Sequence, residues 1–301
     1  MRILLFGGSG QLGYEIQKRA YDLNFEIVSP VISEVDIADL DQVTFLARKF
    51  KPELIVNSAA YTAVDKAEEE QAKAYRVNRE GAAHAAEAAK SVGARLIHVS
   101  TDYVFSGDGD VPLSEDSPVG PKNVYGASKL AGEEAVVSIL GERALVVRTS
   151  SLHGQRGENF VHTMLKLFAE RNVVRVVDDQ FMSPTWAGWL AEAMLDLAKL
   201  GVGGVFHASC AGAISWYDFA AEILALAEPR LADGTVCRLE RTSVADFPRP
   251  AARPRYSVMD CSKLSKALGR RPLAWREGLR AHLRDINRLK VAVHEGGTEE
   301  R

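Results

Sequence analysis

The chain has 301 residues, 47% of them hydrophobic and 26% charged, which is enough apolar length for one large or two modest cores beneath a soluble surface. A net charge of -3 and a pI near 6.2 provide no basic field for neutralising phosphates, so nucleic acid is excluded as an expected partner. The three cysteines, Cys210, Cys237 and Cys261, are too scattered for a disulfide framework or a thiolate metal site and point to a reducing, cytoplasmic setting.

Residues 3–6 form an apolar run too short for a signal peptide or membrane span, and they break into Gly7-Gly8-Ser9-Gly10-Gln11-Leu12-Gly13. Helical spacing follows over residues 11–22. Strand, glycine turn and helix in that order suit a dinucleotide: glycines at 7, 10 and 13 allow a tight turn, close approach to a pyrophosphate and packing of the helix on the sheet. The helix start adds free N–H groups and a positive dipole end. Residues 25–28 read as the second strand. Beyond it Ser29 and Pro30 carry no carboxylate, so the 2'-phosphate of NADP(H) is allowed, although no arginine stands there to demand it. Asp36 either accepts a hydrogen bond from adenine or sits idle in its loop, and Asp39 suits a helix N-cap.

Residues 54–56 resemble a strand buried on both faces, ending in the small residues of Asn57-Ser58-Ala59-Ala60-Tyr61-Thr62. A flat cofactor can lie against such a strand end, or the loop is filled by packing alone. The pattern is helical from residue 64 to 91, and Glu68-Glu69-Glu70 reads as a solvated face. Residues 95–99 form the next strand, leading into Ser100-Thr101-Asp102, where catalytic side chains of open α/β sheets lie. A loop over 107–122, rich in glycine, proline and acids, is expected to close over or beside the site. Asn123 can cap a helix bearing Tyr125 and Lys129 on one face. The same Tyr-x-x-x-Lys spacing recurs at Tyr14 and Lys18, so the spacing alone proves little. Tyr125 is distinguished by the hydroxyl-bearing strand end before it. A neighbouring ammonium stabilises phenolate, so Lys129 is expected to lower the pKa of Tyr125 and make it a usable general acid.

Beyond the site, residues 144–150 and 173–177 read as strands and 159–171 as a helix. Helices follow near 186–199, 215–228, 262–268 and 275–290, with short strands at 202–206 and 236–239. The expected fold is α/β, a Rossmann-type doubly wound parallel sheet with a second, smaller α/β substrate domain. Residues 1–150 would form the dinucleotide-binding domain, with returning segments near 173–190 and 236–260. Residues 151–172, 191–235 and 261–290 would form the substrate domain, and 294–301 a polar tail. The seven histidines have no metal-ligand spacing, so each is assigned a structural place and no metal is expected.

Together, Gly7-x-x-Gly10-x-x-Gly13, residues 59–68 (Ala-Ala-Tyr-Thr-Ala-Val-Asp-Lys-Ala-Glu), residues 100–105 (Ser-Thr-Asp-Tyr-Val-Phe), residues 125–133 and Arg148-Thr149-Ser150 resemble the extended short-chain dehydrogenase/reductases. Among these the chain is similar to the dTDP-4-dehydrorhamnose reductase family, over nearly its whole length. The resemblance implies reduction by NADPH, or NADH, of the C4 ketone of a dTDP-4-dehydro-6-deoxy sugar in dTDP-rhamnose biosynthesis. Tyr125 would protonate the oxygen, Thr101 would donate a hydrogen bond to it, and Lys129 would also hold the nicotinamide ribose. By the same carry-over Gln11, Leu12, Ile37 and Ser100, with Ala59, Ala60, Tyr61 and Asn78, border the cofactor. Thr62, Val64, Asp102, Tyr103 and Asn123 border the nucleotide sugar, the small-molecule partner of a monomer or homodimer. Some members use Mg²⁺ through glutamates at a dimer interface, and Glu15 fits one such position.

Two residues depart from the family pattern: Ser151 stands where Trp is common, and Met182 where Gly is common. Two other functions compete with reduction. A sugar-nucleotide dehydratase or epimerase would regenerate its nicotinamide each turnover, but Tyr103 replaces the glutamate that dehydratases place after Thr-Asp. A non-catalytic NADP-binding regulatory subunit would not need Thr101, Tyr125 and Lys129 together.

Overall fold

The computed structural model describes residues 1–289; the expected tail at 294–301 lies outside the described residues. The first half alternates strand and helix: β1 (Arg2–Phe6), α1 (Gln11–Asp22), β2 (Glu26–Val28), α2 (Leu40–Phe50), β3 (Leu54–Asn57), α3 (Val64–Ala67), α4 (Gln71–Tyr75), a π turn (Arg76–Glu80) and α5 (Gly81–Val92). Next come β4 (Arg95–Thr101), a 3₁₀ turn (Asp102–Val104), α6 (Val124–Leu140) and β5 (Ala144–Thr149). The second half holds β6 (Leu152–His153), α7 (Phe160–Glu170), β7 (Val173–Val177), β8 (Phe181–Met182), β9 (Thr185–Trp186), α8 (Ala187–Leu200) and β10 (Gly204–His207). It ends with β11 (Ile214–Ser215), α9 (Trp216–Ala227), β12 (Arg238–Thr242), α10 (Ser262–Leu268) and α11 (Trp275–Asp285). Among the described residues no helix is long and apolar enough to cross a membrane.

Six strands form one sheet in the order β10-β5-β4-β3-β1-β2, and every pairing in it is parallel. Its central strands are buried on both faces, with Ile3, Leu4, Leu5, Ile55 and Val56 all fully inaccessible. That explains why their sequences are continuous apolar runs rather than alternating ones. Each such side chain contributes about 1.5–3 kcal/mol on burial. One core lies between the sheet, α1, α8 and the second half of the chain, and the other lies against the alanine-rich α5 with α2 and α6. Strand order reverses between β1 and β3; Gly7 follows the C-terminal end of β1, and Thr101 ends β4, the next strand beyond β3.

The returning segments differ from the sequence expectation. β10, expected in the substrate domain, is the sixth strand of the main sheet, and α8 packs on α1. β7 and β12, expected to rejoin the nucleotide half, pair in parallel with each other as a separate two-stranded sheet. Short runs of similar composition carry no information about their pairing partner, which is set by packing far along the chain. The helix expected over 64–91 is also interrupted, at Glu68–Glu70 and by the π turn.

Candidate active site

The glycine turn is built by close approach. Gly7 has φ +85°, and a Cβ on it would fall 2.5 Å from the Ala59 nitrogen, so only glycine lets β1 and the β3 loop meet there. Gly10 closes the turn by donating to the Gly7 carbonyl at 3.1 Å. α1 then starts without a side-chain cap and without an acid in its first turn, leaving its N-terminus to an anion. Ser29 lies against the turn, its Oγ 1.9 Å from where a Gly8 Cβ would be. The cradle therefore fits a dinucleotide pyrophosphate, and no carboxylate from residues 29–30 stands at the ribose position. Gln11 is tied to the second half: its Oε1 accepts from Asn159 at 3.0 Å and its Nε2 donates to the Glu158 carbonyl at 3.3 Å. Leu12 and Gly13 are buried beneath it.

Asp36, expected against adenine, is ion-paired to Arg76 at 2.6 Å and accepts from the Ala38 amide at 2.9 Å. Ile37 is buried against Gly81. Ala59, Ala60 and Tyr61 line the end of β3, partly open, with Thr62 exposed and Val64 beginning α3. Asn78 lies in the π turn, fully buried: its oxygen accepts from the Tyr61 amide at 2.8 Å and its nitrogen donates to the Tyr61 carbonyl and to Ser128 at 3.1 and 2.9 Å.

The catalytic candidates converge at the end of β4. Thr101 is buried, and its hydroxyl lies beside the Tyr125 phenol. Asn123 caps α6 as expected, accepting from the Gly126 amide at 2.8 Å. A Cβ on Gly126 would meet the Tyr103 carbonyl at 2.1 Å, so this glycine lets α6 sit directly on the 3₁₀ turn. Lys129, one turn after Tyr125, donates to the Val99 carbonyl at 2.5 Å. Tyr103 meets Tyr125 edge-on, ring centroids 5.7 Å apart. Tyr14 and Lys18 lie on α1, away from this strand end.

The electrostatics correct one expectation. Burial pushes the Tyr125 phenol up to about 12, with Thr101 pulling the other way and the nearby Asp102 adding to the rise; the expected lowering by Lys129 is not among the causes of the shift. Burial also lowers Lys129 to about 8, opposed by Glu133. The phenol is thus fully protonated near neutrality, the state a proton donor needs, beside an ammonium that is still mostly charged.

Three more residues sit differently from the sequence reading. Asp102 turns inward: its carboxylate accepts from Thr101 at 3.0 Å and Ser150 at 2.8 Å, and burial raises its pKa. Asn123 also donates to the Ala252 carbonyl at 2.7 Å, which ties the start of α6 to the returning chain. Glu68 is not a free solvated acid; it accepts from the Val124 amide at 2.9 Å, supporting the unpaired first turn of α6. The 107–122 loop lies beside the returning segment, with Gly107 accepting from Tyr256 and Leu113 donating to Val258. Residues the sequence reading did not single out are Arg253, bonded twice to Asp65 at 2.7 and 2.8 Å, and the buried pair Glu133–Arg148. For Glu133 and Arg148 the sequence signal was the motif each falls in, residues 125–133 and 148–150.

The family model described as "RmlD substrate binding domain" matches residues 1–288. The chain is 40% identical to a dTDP-4-dehydrorhamnose reductase of Streptomyces griseus, over 92% of this chain and 91% of the relative. Among solved structures it is similar to a dTDP-4-dehydrorhamnose reductase of Clostridium acetobutylicum, at 38% identity and a TM-score of 0.89, covering 95% and 100% of the two chains. The dTDP-4-dehydrorhamnose reductase of Bacillus anthracis in complex with NADP is 35% identical with a TM-score of 0.88, covering 94% and 99%.

Proposed function

Because the chain belongs to the RmlD substrate binding domain family, we propose that it is an NADPH-dependent reductase of a nucleotide sugar. It converts the C4 ketone of dTDP-4-dehydro-6-deoxy-L-mannose (dTDP-4-dehydrorhamnose) to the alcohol of dTDP-L-rhamnose. The observation that carries this reading is the meeting of Thr101, Tyr125 and Lys129 at the end of β4, with Tyr125 held protonated.

NADPH supplies the hydride when bound, and NADH can take its place because no group at Ser29 requires the 2'-phosphate. Gly7, Gly10 and Gly13 hold the pyrophosphate, and the Ala59–Tyr61 loop, braced by Asn78, borders the nicotinamide half. Thr101, its single hydroxyl proton turning from the Asp102 carboxylate to the substrate, donates to the carbonyl oxygen as negative charge develops there, stabilisation that grows toward the transition state. Tyr125 then gives that oxygen its proton, so the ketone gains one hydride and one proton and becomes a secondary alcohol. The Lys129 ammonium lies next to the phenolate left behind and offsets its charge. Arg253, Tyr103 and Thr62 face the nucleotide sugar. Residues 1–150 with α8 and β10 form the dinucleotide half, and the remaining segments form the substrate half of this cytoplasmic enzyme.

The test is NADPH oxidation against a panel of 4-keto-6-deoxy sugar nucleotides. One NADPH lost per alcohol formed, fastest with the dTDP-linked lyxo-hexulose, is the expected result. Turnover without net NADPH loss would instead identify an epimerase, and no turnover at all a binding protein.

A further inference from the structure

α6 carries Tyr125, Lys129 and Glu133 at four-residue intervals, which puts all three on one helix face, against the end of β4. Lys129 donates to the Val99 carbonyl at 2.5 Å, Glu133 accepts from the Ser100 hydroxyl, and Thr101 lies beside the Tyr125 phenol. Three consecutive strand residues are therefore held by three consecutive helical turns. The reductase reading gives Glu133 no task. Its side chain is only 4% exposed and Arg148's only 6%, and a carboxylate so deep in the protein requires compensation. Arg148 supplies it in fork geometry, Nε lying 3.0 and 3.1 Å from the two oxygens and Nη2 2.7 Å from one. Arg148 is itself fixed on β5, where it pairs with Ser100 across the sheet and lies over the Phe105 ring.

We infer that Glu133, held in place by the Arg148 fork, is a positioning residue of this reductase: one turn from Lys129 on the same helix face, it serves the Lys129 ammonium as counter-charge and keeps Ser100 and Thr101 in register with Tyr125. The catalytic consequence rests on the reductase reading above; the electrostatic one does not. The charged and titratable groups around Lys129 come from each neighbouring element. Tyr125 and Glu133 share its helix. His98 comes from β4, buried and held neutral, and Asp102 from the 3₁₀ turn faces Tyr125. Arg148 from β5 stands behind Glu133, with His207 of β10 beside that pair, also held neutral. From the π turn only the uncharged Asn78 arrives, through Ser128. Glu133 is the carboxylate that acts on Lys129, in the direction that favours the ammonium.

The experiment follows the Lys129 titration by NMR in protein isotope-labelled at the lysine Cε, its resonance identified by loss in Lys129→Met. In E133Q the midpoint should fall by about 1 pH unit or more, because Arg148 is left as an unpaired cation. In E133Q/R148M, where the unpaired Arg148 cation is removed as well, it should lie between E133Q and the parent, and the alkaline limb of kcat should move in the same order. A purely structural role would lower kcat without moving either midpoint. If E133Q does not fold, the double variant decides, since replacing both members of a buried pair is tolerated far better than replacing one. A Lys129 midpoint unchanged in the folded variants overturns the inference. The NMR readout uses neither cofactor nor substrate, so failure to reduce any nucleotide sugar would remove the reductase reading and leave Glu133 to be decided separately.

Discussion

Asp65 and Arg253, 188 positions apart in the chain, are joined by two parallel hydrogen bonds of 2.7 and 2.8 Å. Asp65 lies in the first turn of α3, and Arg253 is in the returning segment beside Tyr103, so this ion pair fastens the returning segment to the start of α3. A second cation, Arg249, stands 3.6 Å away. The hydrogen bonds from Arg253, with further help from the Ala251 amide, hold Asp65 down at about 2. A depressed carboxylate pKa means stability that is present above its unfolded value and is lost as pH falls from about 4 to about 2. With both side chains partly solvated, the contribution is about 1 kcal/mol. Asp65→Asn should therefore lower the urea-unfolding free energy by about that amount at neutral pH, and the difference from the parent should close at the acid end. A difference independent of pH would mean the effect is packing.

Asn78 makes three hydrogen bonds from a fully buried side chain, two to Tyr61 and one to Ser128. The loop after β3 is thereby braced against Ser128, the residue next to Lys129. The π turn makes this possible, because the extra residue it accommodates carries the Asn78 side chain toward β3 while α6 packs close at Gly132, where a Cβ would meet the Asn78 carbonyl at 2.2 Å. Asn78→Ala leaves the Tyr61 amide and carbonyl without these partners, at about 1–3 kcal/mol each if they stay dry. The expected result is a lower Tm together with a roughly tenfold weaker NADPH affinity, as a loss of about 1.4 kcal/mol at the loop would give. Fluorescence titration of NADPH separates the two; unaltered affinity in a destabilised protein would reduce Asn78 to a core residue.

What the sequence made legible was local. The glycine turn, the Asn123 cap and the Tyr125–Lys129 spacing each depend on residues within a few positions, and α1, α6 and β1 appear where the pattern put them. Tyr14 and Lys18 show the limit of that reading, since the same spacing on α1 lies away from the catalytic strand end. Everything that depends on distant partners was hidden: Glu68 under α6, Asp102 turned toward Ser150, Arg148 beneath Glu133 and the pairing of β7 with β12. A carboxylate's sequence neighbours do not reveal whether it faces water or an arginine fifteen residues on. The sign of the Tyr125 shift was missed for the same reason, because burial, its largest cause, is a property of the packed fold.

The seven histidines looked like isolated structural residues, yet three of them meet. His153 and His282 approach at 3.0 Å between Nδ1 atoms, and His282 reaches His162 at 3.2 Å between Nε2 atoms. Burial, then the neighbouring His162, lowers His282 to about 3. The folded protein thus keeps His282 neutral while the unfolded chain takes up a proton near its ordinary pKa of about 6.5. Stability from this residue is complete above that value and declines as pH falls toward 3. Between about pH 7 and about pH 5 the parent should lose about 2 kcal/mol more than His282→Gln. Urea unfolding at the two pH values measures this, and equal losses would place the acid sensitivity elsewhere.

Tyr125 and Lys129 titrate at about 12 and about 8, and the order of these values sets the pH dependence of reduction. Tyr125 keeps its proton across the whole working range, so loss of the donor does not limit turnover. Lys129 is the group that changes, and its ammonium is what offsets the phenolate formed when Tyr125 gives up its proton. kcat should be level below about pH 8 and fall above it, as the lysine becomes neutral and the phenolate loses its counter-charge. Tyr125→Phe removes the donor and should lower kcat by about 10²–10⁴ while NADPH still binds. Thr101→Val removes the hydrogen bond to the developing oxyanion and should cost about 10²–10³ in kcat. The two variants act at different moments of one step, so their pH profiles should differ. Thr101→Val should retain the alkaline fall, whereas the residual activity of Tyr125→Phe should be flat there, because Lys129 no longer has a phenolate to stabilise. A Tyr125→Phe enzyme with the parent's rate would show that another group protonates the ketone.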